Sequence, residues 1–121
     1  MIMLDANAII RYLLDDINEQ ADAVETAINN GAYVAPLILA ECVYVLSKFY
    51  KQSRSDVAVS LLRVLECIQT NDVDVIRASL ILYTSETMDY ADCVLLAYNR
   101  VRGTEILTFD KKLQTRLSSP Q

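Results

Sequence analysis

Short apolar runs alternate along the chain with longer stretches of helical periodicity. Four of these runs predict strands, at residues 2–4, 33–35, 67–70 and 105–109. Between them, over residues 57–65, apolar side chains recur at every third or fourth position, which is typical of an amphipathic helix. Because strands and helices alternate, the pattern predicts an α/β fold whose central parallel sheet is covered by helices on both faces.

Local capping signals mark the ends of the predicted helices. Pro36 suits the first turn of a helix that runs to about Tyr50. Ser53 with Asp56 three positions later resembles a capping box, and Gly103 is a C-terminal signal. The predicted helices cover residues 8–14, 18–31, 36–50, 53 onward, 74–83, 88–100 and 110–117.

Composition favours a single domain over residues 1–121. A chain of 121 residues with 53% hydrophobic content can bury one core, and its two Gly and two Pro leave no linker-like stretch. The N-terminus lacks the basic start of a signal peptide. No apolar run reaches the ~18 residues of a membrane span. We therefore expect a soluble, cytoplasmic protein without a membrane segment.

The residues available for chemistry are restricted. The chain has no histidine and three cysteines without a CxxC spacing, which argues against a structural zinc site and against every mechanism that needs a histidine base. The cysteines are expected to pack as small apolar side chains in a reducing compartment. Carboxylates, amides and hydroxyls remain as candidate functional groups.

Two aspartates occupy equivalent places in the predicted pattern. Asp5 and Asp110 each follow an apolar strand directly and precede a helix. Ligand sites of open α/β sheets form beyond the carboxyl ends of strands, so these two side chains are expected to converge. The alternative is that each merely caps its helix. For Asp5 this alternative is weaker, because Asn7 is predicted to be the better placed cap.

Three further acids lie on predicted helices. Glu41 has Leu37, Ile38, Tyr44 and Val45 at helical neighbour positions, where burying an unpaired carboxylate would cost on the order of several kcal/mol. It must therefore lie at a rim, be paired, or bind a cation. Asp89 and Asp92 are three positions apart and share a helix face. Asp89 is equally explained as an acid at a helix start, whereas Asp92 lies among apolar neighbours.

Hard oxygen ligands without imidazole or thiolate select Mg²⁺ or Mn²⁺ over zinc. Such a site can orient a water molecule and neutralise charge on a phosphodiester. The net charge of −5 is the wrong sign for a broad nucleic-acid surface. Cations held by four acids would reverse the field locally, and a basic partner protein would also be attracted.

Four segments in order, LDANAIIRYLL, LAECVYVL, MDYADCVLLAY and LTFDKKL, resemble the signature segments of PIN-domain nucleases, most closely the VapC-type toxins of bacterial toxin–antitoxin pairs. The resemblance implies a three-layer α/β/α fold with a parallel sheet of four strands, or five if an edge strand follows LTFDKKL. The short remainder QTRLSSPQ indicates that this fifth strand is missing or replaced by helix. The implied partners are an RNA substrate, an antitoxin and a second copy of the chain in a homodimer.

By motif position, the resemblance makes Asp5, Glu41, Asp92 and Asp110 the catalytic and metal-binding acids, with Mg²⁺ or Mn²⁺ as the cofactor. Asn7 and Thr108 would be auxiliary residues that orient ligands or water, and Asp89, at a variable acidic position of its segment, could add an outer-shell contact. Arg11, on the helix after Asp5, could bind a substrate phosphate, or it could be an ordinary surface or interface arginine.

Two other functions compete with a ribonuclease. A degenerate PIN domain could act as a non-catalytic module that binds protein or RNA, although such copies typically lose an acid and this chain retains all four. A phospho-acceptor receiver domain also clusters acids at strand ends. It would need a lysine at the end of a late strand, where this chain has Phe109 and Asp110.

Overall fold

Helices make up most of the chain in the computed structural model, which describes residues 1–119. The α-helices are α1 (Ala6–Leu14), α2 (Asn18–Asn29), α3 (Pro36–Tyr44), α4 (Arg54–Cys67), α5 (Val73–Ser85), α6 (Tyr90–Arg102) and α7 (Lys111–Ser118). A π-helical segment, Val45–Phe49, continues α3 directly. These bounds confirm the helical part of the sequence prediction, including one helical stretch from Pro36 to the vicinity of Tyr50.

The chain divides into two compact units, an N-terminal unit of Met1–Val73 and a C-terminal unit from Asp74 onward. In the N-terminal unit, α1 packs against α2 and α3, and α4 packs against α3 and the π-helical segment. Its core includes the fully buried side chains of Ile9, Leu39, Leu46 and Leu61. Each such side chain stabilises the fold by roughly 1.5–3 kcal/mol relative to an exposed position.

The predicted parallel sheet is wrong. Residues 1–119 contain no strand, only two isolated parallel bridges, from Met3 to Tyr33 and from Tyr33 to Gln69. Four backbone hydrogen bonds of 2.8–3.2 Å surround these bridges, including Leu4 N–H to the Tyr33 carbonyl. The first three apolar runs are therefore aligned in parallel, as the pattern indicates. Their pairing ends after single residues, so no sheet develops.

The fourth predicted strand, residues 105–109, also has no strand structure. Its large apolar side chains Leu107 and Phe109 are each 87% exposed. Within the described residues its backbone N–H groups join no bridge or ladder. The fifth edge strand is absent up to Ser119, because residues 111–118 form α7. This agrees with the expectation that the strand is missing or replaced by helix; the last two residues of the segment QTRLSSPQ, 120 and 121, lie outside the described residues.

Side-chain caps begin α1, α4 and α7. Ser53 Oγ accepts from the Asp56 N–H at 3.0 Å, which confirms the predicted start of α4. Asp5 Oδ1 accepts from Ala8 N–H at 2.8 Å, and Asp110 Oδ1 accepts from Leu113 N–H at 2.9 Å. The expectation that Asn7 caps α1 is thus wrong. The helix begins earlier, at Ala6, and Asp5 is its cap.

In the C-terminal unit, α6 packs against α7. Fully buried side chains include Val75, Leu80, Leu96 and Leu113. An ion pair of 2.6 Å joins Arg116 Nε to Glu86 Oε1, whose side chain is only 14% exposed. These contacts hold α7, and with it the Asp110 cap, against the rest of the unit. No helix within residues 1–119 is long and apolar enough to cross a membrane.

Candidate active site

Two of the predicted acids share a cavity in the N-terminal unit. Asp5, Glu41 and Asn7 line a cavity of about 270 Å³, together with the apolar side chains of Ile10 and Val45. Asp5 stands at the cap of α1, and Glu41 projects from α3. Because α1 packs against α3, the two carboxylates face the same space. Two carboxylates at one cavity offer the oxygen donors that a divalent cation prefers.

The carboxylate of Asp5 is only partly occupied by capping. Oδ1 accepts the Ala8 N–H, whereas Oδ2 has no hydrogen bond or ion pair within residues 1–119. The side chain is exposed, so this second oxygen is available to a ligand. Asp5 can therefore cap α1 with one carboxylate oxygen and still offer the other oxygen to a ligand.

Glu41 lies at an exposed position, which was the rim alternative of the sequence argument. Its helical neighbours Leu37 and Tyr44 are 79% and 66% exposed. The apolar stripe around Glu41 is therefore on the surface, and no large desolvation cost applies to its charge. Glu41 has no ion-pair partner in the part of the chain that the structure describes.

Cys42 follows Glu41 on α3 and is fully buried. Burial, and then the charges of Glu41 and Asp5, raise the pKa of its thiol to about 12. The thiol thus stays protonated at neutral pH and is a poor metal ligand or nucleophile. Cys93 is buried as well, whereas Cys67 is exposed, contrary to the expectation that all three cysteines pack inside.

In the C-terminal unit, the charges of Asp89 and Asp110 act on Asp92, near the start of α6. Asp92 is half-buried in the first turn of the helix, and Asp89 is at the N-cap position without a side-chain cap bond. Partial burial, and then the charges of Asp110 and Asp89, raise the pKa of the Asp92 carboxyl. Negative charge is therefore concentrated here, with no cation paired to Asp92 or Asp110 in residues 1–119.

Thr108 shapes the turn that presents Asp110. Its hydroxyl oxygen accepts the Asp110 N–H at 3.1 Å, and its carbonyl accepts from Gln114 Nε2 at 2.7 Å. Oδ1 of Asp110 is held by the cap, whereas Oδ2 has no hydrogen bond or ion pair within residues 1–119, and the side chain is exposed. Thr108 is thus placed to orient the acid that follows it.

Arg11 lies in a larger cavity of about 500 Å³, which shares Asn7, Ile10 and Val45 with the carboxylate cavity. Its Nη1 donates to Asp16 at 2.6 Å and its Nη2 to the Tyr50 hydroxyl at 2.7 Å. The side chain is 15% exposed, and its Nε is buried without a partner in the described chain. Arg11 is therefore fixed by structural contacts at the wall of this cavity.

Sequence reasoning missed the aromatic side chains of the larger cavity, Tyr44, Phe49 and Tyr50. The signal for them was present in the run YVLSKFYK, where three aromatic residues alternate with lysines. Such interleaving of rings and cations is typical of surfaces that bind single-stranded nucleic acid. The hydrophobic pattern predicted only that this run is helical and did not indicate a ligand-binding role for its aromatic side chains.

The acids fit the donor chemistry of Mg²⁺ or Mn²⁺, which prefer oxygen ligands. Asp5 and Asp110 each keep one oxygen that the fold does not use. Over residues 1–119, however, no three or more Asp, Glu, Cys or His side chains form a group that could hold a metal ion. Magnesium usually retains several waters and needs only one or two protein carboxylates. The pair Asp5 and Glu41 matches that number of carboxylates.

Within residues 1–119, Asp5 and Glu41 face a cavity without an ion-pair partner, and their carboxylate oxygens have the chemistry of ligands for divalent ions. The PIN domain family model matches residues 2–117, and the chain belongs to this family. PIN domains are generally nucleases and typically use divalent metal ions. Comparisons with curated proteins and with solved structures gave no significant match.

Proposed function

We propose that this protein is an endoribonuclease that uses Mg²⁺ or Mn²⁺ to hydrolyse RNA phosphodiester bonds. One observation carries the proposal. Two pairs of carboxylates lack cation partners within residues 1–119. Asp5 and Glu41 face one cavity in the N-terminal unit, and Asp92 and Asp110 interact near the start of α6 in the C-terminal unit. Structural ion pairs do not explain these acids, and membership of the PIN family supports a nuclease.

In this proposal each acid has a defined task. Asp5 and Glu41 in the N-terminal unit, and Asp92 and Asp110 in the C-terminal unit, offer oxygen ligands to divalent cations, which when bound would activate a water molecule and neutralise charge on the phosphodiester. Asn7 offers an amide to the same cavity as Asp5 and Glu41. Thr108 holds the turn of Asp110 through its hydroxyl. Because the chain has no histidine, proton transfer falls to carboxylates and water.

The test is cleavage of RNA by the purified protein with Mg²⁺ and with Mn²⁺. Asp5→Asn and Asp92→Asn are expected to abolish cleavage, because each removes a charge that the cation needs. Asp22→Asn, an exposed change on α2, is the matched control and should retain full activity. If both site variants cleaved as fast as the control, the assignment of the four acids as the catalytic set would be wrong.

A non-catalytic module is the second candidate function. The observation that favours it is the lack of a group of three metal-binding side chains within residues 1–119. Calorimetric titration with Mn²⁺ near neutral pH separates the two functions. A nuclease should show binding that Asp92→Asn weakens, whereas a module should show none.

We further propose that the nuclease is the toxin of a toxin–antitoxin pair, acts in the cytoplasm and forms a homodimer. A net charge of −5 favours a basic partner, which would be the antitoxin. Expression of the chain alone should arrest growth, and expression with the product of a small adjacent gene should restore it. Growth that continues under induction of the active enzyme would point to RNA processing instead. Sedimentation of the purified chain tests the dimer.

A further inference from the structure

The larger cavity of the N-terminal unit combines cations with exposed aromatic rings. Arg11 and Lys48 supply positive charge, and Tyr44, Phe49 and Tyr50 supply rings around about 500 Å³ of space. Tyr44 and Phe49 are 66% and 74% exposed. Large aromatic side chains are normally buried. Aromatic rings that are exposed to solvent beside cationic side chains therefore indicate a binding surface.

The π-helical segment places these groups together. In a π-helix the backbone bonds connect residues five apart, and here the Tyr50 N–H donates to the Val45 carbonyl at 3.1 Å. Tyr44 and Phe49 are also five positions apart and both line the cavity. The Phe49 and Tyr50 rings meet edge to face, with centroids 4.9 Å apart. Single π turns inside α-helices are frequent at functional sites.

The two cations have different roles. Both terminal nitrogens of Arg11 are held by Asp16 and Tyr50, so Arg11 fixes the Tyr50 ring at the cavity wall. Lys48 is exposed and has no ion-pair partner within residues 1–119. It is the cation of the cavity that remains available to an anionic ligand.

This cavity adjoins the carboxylates of the proposed active site. Asn7, Ile10 and Val45 line both the larger cavity and the one that Asp5 and Glu41 face. Glu41 and Tyr44 are also three positions apart on α3 and share a helix face. A ligand in the larger cavity is therefore a direct neighbour of anything bound at the carboxylates.

We propose that this aromatic–basic cavity holds a nucleotide of single-stranded RNA next to the bond that is cut. The base stacks on Phe49 and Tyr44, and Lys48 contacts the backbone phosphate. The proposal rests on the ribonuclease function proposed above. A single strand is required, because the bases of a duplex cannot present their faces to the rings. Lys48 carries a positive charge that attracts the negatively charged phosphate, although the protein as a whole is acidic.

The test measures binding separately from cleavage. Fluorescently labelled oligoadenylate and oligouridylate of about twelve nucleotides are titrated with the protein in EDTA, and binding is followed by anisotropy. Phe49→Ala is expected to weaken oligoadenylate binding about tenfold, and Phe49→Tyr should restore it because the ring returns. Ile81→Ala removes a comparably exposed apolar side chain outside the cavity and should bind as the wild type does.

The phosphate contact has its own readout. Lys48→Met should reduce the slope of log affinity against log salt by about 0.7, the value for one phosphate contact on a single strand. Arg77→Met removes one exposed positive charge from α5 and should leave the slope unchanged. An equal change in both variants would show a general charge effect and would contradict a specific contact by Lys48.

The possible failures are distinguishable. If the wild type cleaves RNA but Phe49→Ala binds within twofold of Ile81→Ala, the cavity is not a stacking subsite and the ribonuclease function stands. If Phe49→Ala instead loses only the binding of a protein partner, the cavity is a protein surface and the proposal is overturned. A wild type that neither binds nor cleaves RNA would overturn both proposals. Because Phe49 is largely exposed, Phe49→Ala should unfold at the same temperature as the wild type. Unchanged thermal unfolding shows that a loss of RNA binding does not result from loss of the fold.

Discussion

Asp92 is half-buried, and its carboxyl group lies within electrostatic reach of the exposed carboxylate of Asp110. Partial burial and then this neighbouring charge raise the pKa of Asp92 above its ordinary value of 3.8. A carboxyl whose pKa is raised by folding holds its proton more tightly in the folded state than in the unfolded one. Folding is therefore favoured while Asp92 is protonated and weakened once it ionises.

Stability should accordingly fall as pH rises through the raised pKa of Asp92. We expect Asp92→Asn to unfold at a higher urea concentration than the wild type at neutral pH, because the variant carries no charge there. At a pH below 3.8, where Asp92 is protonated in both states, the difference should disappear. Equilibrium urea titrations across this range measure it. If Asp92→Asn were less stable at neutral pH, Asp92 would be engaged in a favourable interaction instead.

Asp110 combines a structural and a proposed catalytic role that two substitutions can separate. Asn keeps a side-chain oxygen for the Leu113 N–H, whereas Ala removes the cap of α7. Asp110→Ala should therefore lose about 1 kcal/mol of unfolding free energy and Asp110→Asn much less. Both should lose RNA cleavage, because both lack the carboxylate.

The control for Asp110 is another cap. Ser53→Ala removes the hydroxyl that accepts the Asp56 N–H at the start of α4, and should cost about as much stability while leaving cleavage intact. Cleavage by Asp110→Asn at the wild-type rate would leave Asp110 with its capping role alone.

Tyr50 connects the end of the π-helical segment to α1 through its bond to Arg11. Tyr50→Phe removes the hydroxyl that accepts from Nη2 of Arg11. The Nε of the same arginine is already buried without a hydrogen-bond acceptor in the described chain. We expect a loss of about 1–2 kcal/mol in unfolding free energy, because the lost bond involves a charged group. Tyr44→Phe removes an exposed hydroxyl and should change it by less than about 0.5 kcal/mol. Equal effects of the two variants in urea titrations would contradict this role for Tyr50.

Local signals explain how much of the fold could be predicted. The starts at Pro36 and Ser53 and the end at Gly103 are encoded within one helical turn, and all three were located correctly. Strand pairing depends instead on segments far apart in the chain. Residues 2–4 and 33–35 do align in parallel, but the apolar pattern could not show that pairing would stop at single bridges. The same pattern could not show that Leu107 and Phe109 are exposed.

The candidate site divides in the same way. Asp5 and Glu41 were selected from sequence and do line one cavity, although their catalytic role stays a prediction. The contact between Arg11 and Tyr50 spans 39 positions, and no periodicity or motif could indicate it. At Glu41 the apolar neighbours at helical spacing left a rim position, an ion pair and a bound cation open. The rim position is observed, because Leu37 and Tyr44 are largely exposed, and no local pattern could have selected it.

The exposure of Glu41 leads to a prediction opposite to that of a buried carboxylate. A buried, cation-dependent Glu would affect stability when replaced, whereas an exposed one should not. We therefore expect Glu41→Gln to keep the unfolding free energy within about 0.5 kcal/mol of the wild type while it loses RNA cleavage and weakens Mn²⁺ binding. Glu66→Gln, an equally conservative change at an exposed position of α4, should retain all three properties. Urea titration measures the unfolding free energy, a cleavage assay the activity and calorimetry the Mn²⁺ binding, all on the same preparations. A Glu41→Gln protein that is markedly destabilised would mean that this carboxylate supports the fold, and one that cleaves normally would remove Glu41 from the proposed site.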